Sequence, residues 1–425
     1  MREGWMAMGQ AEVSAGPTSL QEQARLSGEF ADWSNLVLGT AWLTGELDVG
    51  AVRDAWRHVC LSHDALRRTY VAEDEARTHA DSLSEVEFHT AGTDAQAVEL
   101  LRGILGVPFD LAGQGFSRIV VVRTGERRHL IGIALDHIIT DEVSWLRMTT
   151  DFADFYGRSL RGAGIDVAGA GTYQGFASRQ RREFDDAWGH TRKAFWQSYV
   201  AEFETVLPGF SVRRTPSATP ARKVLTHDLP PDVSAKVGDF ARRARVTPYA
   251  VAAASVLASM REVVDDPTVG LLTEGHGRVL PGTAQTLGLF VQGVPLHLTR
   301  KTTDPLETVQ EVFGRSLDVF EFGLPPLVAG RYWQETLVAP GSTPGVHLYV
   351  YDGGGLTRMQ PLAGTSVEAF HLEVPGEPRS WVDSVIVNCR LDGANPRFDA
   401  IYNEDVHPSD AVAQLLRTAA ASLVP

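Results

Sequence analysis

Apolar and small residues alternate from 36 to 43 at the two-residue period of a strand, behind a polar helical stretch at 20–25. Leu47, Val49, Val52, Ala55, Trp56 and Val59 then recur at helical spacing, with Asp48 standing where an N-cap would. Segments 119–122 and 129–135 are dense in β-branched and apolar residues, and the charged, Gly125-containing stretch between them predicts a hairpin. After Asp136 the period changes. Val143, Leu146, Met148, Phe152 and Phe155 predict a helix from about 144 to 160, so the residues between form a strand-to-helix connection.

Residues 162–171, rich in Gly and Ala, read as a surface loop, and 173–203 as an aromatic, charged helical stretch. Residues 208–220 carry Pro, Ser, Thr and Arg without an apolar period and read as a linker. Helices are expected over 230–244 and 247–261, the second very apolar, with Thr247 as cap and Pro248 in its first turn. Strands are expected at 269–272, 288–298, 346–351 and 384–390, and a closing helix at 412–423. No internal repeat or low-complexity tract interrupts this order. The expectation is an α/β protein with an N-terminal lobe over 18–207, the linker, a C-terminal lobe over 221–425, and a cleft between the lobes.

Composition narrows the function classes. Of 425 residues, 44% are hydrophobic and 22% charged, and 39 Lys and Arg stand against 53 Asp and Glu for a net charge of −14. So acidic a chain lacks the cationic face that sequence-independent binding to nucleic acid or an anionic membrane requires. Two cysteines, Cys60 and Cys389, exclude a disulfide framework or a Cys-rich metal site and suit a reducing cytoplasm, the expected location. Residues 1–17 have no long apolar core and do not read as a signal peptide, and no apolar run reaches membrane-spanning length.

The chemistry concentrates in Asp136-His137-Ile138-Ile139-Thr140-Asp141-Glu142-Val143-Ser144-Trp145. A histidine and several carboxylates at the end of a buried strand can be held firmly where a substrate reaches them, and imidazole is the natural proton-transfer group near neutral pH. The same residues also fit a hydrogen-bonded structural histidine followed by helix-N-terminal charge. His137 and Asp141 are too few ligands for a metal site. Neither 352–355 nor Gly275-x-Gly277 is placed as a phosphate cradle, so both read as turns.

This segment resembles the HHxxxDG motif of the nonribosomal peptide synthetase condensation superfamily, standing here as Asp136-His137-x-x-x-Asp141-Glu142. Further resemblances follow in order: Leu43-Thr44-Gly45-Glu46-Leu47-Asp48, His63-Asp64-Ala65-Leu66-Arg67-Arg68-Thr69-Tyr70, Pro108-Phe109-Asp110-Leu111, Thr247-Pro248-Tyr249, Gly277-Arg278, and the run from Gly288 to Leu296. The resemblance implies two chloramphenicol-acetyltransferase-like lobes in a V around a tunnel, with substrates delivered on phosphopantetheine arms of carrier proteins and no directly bound cofactor. It implies His137 as the catalytic group and Asp141 as a structural aspartate paired with a buried arginine, for which Arg278 is the candidate. Asp136 replaces the motif's first histidine. Glu142 replaces its glycine, adding bulk and charge near Ser144, Trp145 and Gln292, which the resemblance places along the tunnel; a positive φ there would also strain a glutamate.

Several branches of the superfamily share these features. Glu274-Gly275-His276-Gly277-Arg278 resembles the epimerisation domains, in which Glu274 would work opposite His137. Asp136, Asp141 and Ser144 fit the heterocyclisation spacing, and the altered motif is similar to that of non-catalytic domains that recruit tailoring enzymes. With no adenylation or carrier-protein signature in the sequence, the expectation is a free-standing enzyme acting on partner carrier proteins. It would form an amide or ester bond with a small amine or alcohol. Epimerisation by His137 and Glu274, heterocyclisation and a docking platform are the alternatives.

Overall fold

The computed structural model describes residues 13–27, 36–113, 115–165, 171–184, 186–202, 211–213, 222–264, 269–299, 302, 304–324, 342–351, 358–372, 374, 383–391 and 395–424. The chain forms two compact units. One comprises residues 1–183, 278–290 and 356–378; the other comprises 184–277, 291–355 and 379–425. Of the expected linker, only Ser211–Arg213 lies within the described residues, and it is a short strand.

The first unit runs β1 (Val13–Pro17), α1 (Leu20–Leu26), β2 (Leu36–Gly45), α2 (Val49–Ser62), β3 (Arg68–Ala72), β4 (Glu75–His79), β5 (Val86–Thr90), α3 (Asp94–Leu105), β6 (Ser117–Arg123), β7 (Arg128–Asp136), α4 (Glu142–Leu160) and α5 (Tyr173–Phe184), the last reaching the unit boundary. The second begins with α6 (Ala187–Ala201), β8 (Ser211–Arg213), β9 (Arg222–Asp228), α7 (Val233–Ala244), α8 (Pro248–Val264), β10 (Val269–Gly275), β11 (Gln292–Leu298), α9 (Pro305–Glu321), β12 (Ser342–Pro344) and β13 (Val346–Tyr351). The chain then gives β14 (Thr365–Phe370) to the first unit, and β15 (Val385–Arg390), β16 (Arg397–Asn403) and α10 (Ser409–Ser422) to the second.

The first unit holds a five-stranded sheet ordered β14-β2-β7-β6-β5 and a three-stranded sheet ordered β1-β4-β3. β7 lies centrally, antiparallel to both neighbours, with Leu36 opposite Asp136 and Ser117 opposite Leu135. Leu130, Ile131, Ile133, Ala134 and Leu135 are all fully buried, the uninterrupted apolar run expected of a strand covered on both faces. Gly132 serves packing, since a Cβ there would lie 2.4 Å from Leu105 of α3. α3 can therefore press onto the sheet, burying Ala97, Leu101 and Leu105 against Val120, Val122 and Leu130.

The second unit is built on a six-stranded mixed sheet ordered β11-β10-β13-β15-β16-β9. The very apolar α8 lies in its core, where Val251, Val256 and Leu257 are 1% exposed or less. Thr247 caps α8, its hydroxyl accepting from the Ala250 amide at 3.1 Å, and Pro248 is the first helical residue. Among the described residues no helix is long and apolar enough to cross a membrane.

Several expected boundaries move. The helical stretch expected over 173–203 consists of two helices, α5 and α6, with Asp186 at the N-cap position of the second. The strand expected from 288 begins at Gln292, because Gly288 to Phe290 belong to the first unit and bond to α4. The helix expected from about 144 begins at Glu142.

Candidate functional site

Asp136 ends β7 and starts a one-turn 3-10 segment, His137–Ile139. Its amide donates to the Phe116 carbonyl at 3.0 Å, and its Oδ1 accepts from the Ile138 amide at 2.9 Å, so the carboxylate folds over the turn. Ile138 and Ile139 plunge into the core, whereas the His137 side chain stays partly exposed. No described residue hydrogen-bonds its imidazole. The residue types thus set the local geometry: two apolar anchors and an aspartate staple hold the backbone, and the histidine points elsewhere.

Asp136 is only 2% exposed, and burial lifts its carboxyl above the usual range. Arg25, whose Nη2 lies 3.6 Å from Oδ2, opposes that lift, as do the Ile138 amide and His137.

Asp141 is the N-cap of α4. Its Oδ1 accepts from the Ser144 amide at 2.8 Å, and Oδ2 from the Phe290 amide at 3.0 Å. Arg278 grips both oxygens in a two-pronged ion pair, Nη1 to Oδ2 at 2.7 Å and Nη2 to Oδ1 at 2.9 Å. The same Nη2 donates to the Ser144 hydroxyl at 2.7 Å, and that hydroxyl donates to the Gly288 carbonyl at 2.7 Å. The Arg278 guanidinium lies 4.1 Å from the Phe290 ring centre. Three chain segments, 141–144, 278 and 288–290, therefore meet in one network. Gly288 has to be glycine: a Cβ there would sit 2.0 Å from the ring of Tyr173, whose hydroxyl is held by the Leu289 carbonyl at 2.6 Å. Trp145 is buried, its indole donating to the Arg358 carbonyl at 3.2 Å.

Glu142 is exposed in the first turn of α4, where its charge meets the helix dipole favourably. Its backbone is helical, and Arg245 is the one non-glycine residue with positive φ among the described residues, so the glycine-to-glutamate departure brings no left-handed strain.

Glu274 and Gln292 lie in the second unit. Glu274 follows the strand expected at 269–272, but β10 runs through Gly275, because Glu274 continues the ladder opposite Gly293. Its carboxylate accepts from the Tyr349 hydroxyl at 3.1 Å, with His347 3.8 Å away. Full burial pushes His347 down to about 3, keeping it neutral. Gln292 is 5% exposed at the start of β11. Three neighbours were not anticipated. The parallel register Leu272 to His347 places Tyr349 beside Glu274, and strand alternation in 346–351 was the available signal. Arg25, the basic residue in the last turn of α1, carried only its position. Among the described residues no cluster of three metal-ligating side chains occurs.

The chain has the chloramphenicol-acetyltransferase-like fold of the solved condensation domains it resembles, and its first unit delivers Asp-His-x-x-x-Asp from a central strand to a capped helix. Residues 33–327 match the family described as the condensation domain, and the chain belongs to it. It is 26% identical over 266 residues to bacitracin synthase 1 of Bacillus licheniformis, a match covering 59% of this chain and 5% of that much longer protein. The fold is shared with the epimerization domain from the third module of tyrocidine synthetase B, at a TM-score of 0.78, 17% identity and 98% coverage of both chains. It is shared too with the condensation domain from the monacolin K polyketide synthase MokA, at a TM-score of 0.77, 16% identity and 97% coverage of both.

Proposed function

We propose that this chain transfers an acyl group from a carrier-protein thioester to an amine or alcohol, with His137 as the group that orients the acceptor and takes its proton. The observation that carries this reading is the division of labour in the motif. Asp136 and Asp141 are buried and engaged in holding backbone, while the partly exposed His137 is left between them on a rigid turn. The acceptor's lone pair would attack the thioester carbonyl and form the C–N or C–O bond, its proton passing to the His137 imidazole; collapse would break the C–S bond and return the proton to the departing thiolate. Holding two substrates in line would supply much of the rate. Glu142, exposed one residue past Asp141, offers a carboxylate to an incoming ammonium group.

The test is mass spectrometry of a panel of acyl and aminoacyl carrier proteins, incubated in D₂O with the protein and a pool of amines and alcohols. Acyl loss to an acceptor is expected, and His137→Ala is expected to slow it by about 10²- to 10⁴-fold with the fold retained. Transfer that survives His137→Ala would sink this reading, and silence across the whole panel would favour a docking platform.

One observation favours a second reading, epimerisation of a carrier-tethered aminoacyl group. Glu274 keeps 24% of its side chain exposed while the Tyr349 hydroxyl fixes its carboxylate, as a second proton-transfer group would need. Deuterium entering the α-carbon without transfer, lost in Glu274→Gln, is the outcome that reading requires. Under acyl transfer the same variant is expected to keep its turnover.

A further inference from the structure

We propose that Arg25 and Asp136 act as one unit, an ion pair that locks the turn bearing His137 and places a fixed negative charge beside the imidazole. This deepens the acyl-transfer reading and rests on it. Arg25 stands in the last turn of α1, which packs against the His137–Ile139 turn. Its side chain is 13% exposed and that of Asp136 2%, with Nη2 3.6 Å from Oδ2. The two carboxylate oxygens have separate tasks. Oδ1 is bound to the Ile138 amide and staples the turn, while Oδ2 faces the guanidinium.

Among the described residues, Asp136 is the acidic side chain paired with Arg25. The other acidic side chain on α1 that faces inward, Glu22, is claimed by Arg68 and Tyr70, and Asp141 by Arg278. The Arg25 Nε is buried without a hydrogen-bond partner among the described residues, so this guanidinium is held in place for its charge on Asp136 more than for a saturated bonding network. Where the family motif has its first histidine, this chain has a carboxylate that stands beside a cation of its own.

The direction of the charge effect follows from the neighbours. Burial raises the Asp136 carboxyl, and Arg25, the Ile138 amide and His137 lower it again. Removing Arg25 takes away the foremost of the opposing influences, so the carboxyl must take up its proton at higher pH.

Arg25 is a positioning residue, and the test reads position and charge separately. In the full chain, labelled with ¹³C, the side-chain carboxyl of Asp136 is followed by NMR through a pH titration and assigned by its loss in Asp136→Asn. Arg25→Met is expected to move that titration upward by about one pH unit, and Arg25→Lys to restore most of it. With an active carrier and acceptor, Arg25→Met and Asp136→Asn are each expected to lower kcat by about 10²-fold at unchanged KM, and the double variant to fall no further. A carboxyl titration that does not move in Arg25→Met overturns the pair, as do losses that multiply in the double variant. The titration needs no substrate. If it shifts while His137→Ala keeps full transfer, the acyl-transfer reading fails and the positioning role falls with it, leaving the ion pair measured as a structural one.

Discussion

Arg278→Ala is expected to destabilise the first unit by about 3–5 kcal/mol, the range for breaking one partner of a buried ion pair. The carboxylate of Asp141 is 4% exposed and would keep only the Ser144 and Phe290 amides once the guanidinium is gone. The loss does not stop there. The Ser144 hydroxyl would lose a donor, and the Phe290 ring would lose the cation lying over it. Segments 278–290 and the start of α4 would keep the Phe290–Asp141 and Ser144–Gly288 hydrogen bonds but lose the cation that clamps them together. Because the chain holds two compact units, the effect is best read as urea unfolding combined with hydrogen exchange at the α4 amides. Arg278→Lys keeps the charge but replaces a planar fork by a point donor, so it is expected to recover part of the stability and not all. Equal stability of wild type and Arg278→Ala would mean the pair is worth nothing net. Transfer should fall with stability in these variants, since Asp141 sets the N-terminus of α4 four residues beyond His137.

What was legible in the sequence was what lies close along the chain. The apolar run 129–135, the change of period after Asp136 and the Asp48 and Thr247 caps all appear where expected, because a strand, a helix and a cap are each decided by a few consecutive residues. The elements that escaped notice carry weak or split patterns. β14 reads Thr-Ser-Val-Glu-Ala-Phe with no residue fully buried, and pairs with β2 more than 300 positions away. β3 and β4 are mostly polar, and the hairpin they form has nothing in composition to distinguish it from a loop. The site divides the same way. Asp136, His137 and Asp141 stood out as a cluster at a strand end, but their roles, like the choice of Arg278, came from likeness to a family and not from any local pattern. Arg25 reaches Asp136 across 111 positions, and no periodicity reports a partner at that separation. Glu274 was misplaced by two residues of strand, since a polar Thr-Glu at the end of β10 hides the continuation of the ladder.

The second large effect is expected beneath the site. Glu22 and Arg68 are both 0% exposed, joined by Nε to Oε1 at 2.8 Å and Nη2 to Oε2 at 3.0 Å, with the Tyr70 hydroxyl donating to Oε1 at 2.8 Å. Glu22 also closes the capping box of α1, its Oε2 accepting from the Ser19 amide at 2.7 Å. Glu22→Gln would leave Arg68 buried without its ion-pair partner, a change expected to cost about 3–5 kcal/mol in the first unit, read as a lowered urea midpoint. Glu22→Gln combined with Arg68→Met removes the uncompensated charge, and is expected to regain much of that loss because the cost of the single variant is mostly desolvation of the orphaned cation. A double variant no more stable than the single one would show that the bonds, and not the charges, hold α1 in place. The outcome reaches His137 through geometry: α1 carries Glu22 on one turn and Arg25 on the next, so the network that seats the helix also sets where the Arg25 guanidinium meets Asp136. If the double variant keeps α1 seated, it keeps Asp136 titrating as in the wild type, whereas the single Glu22→Gln variant frees the helix and moves that titration in the direction of Arg25→Met.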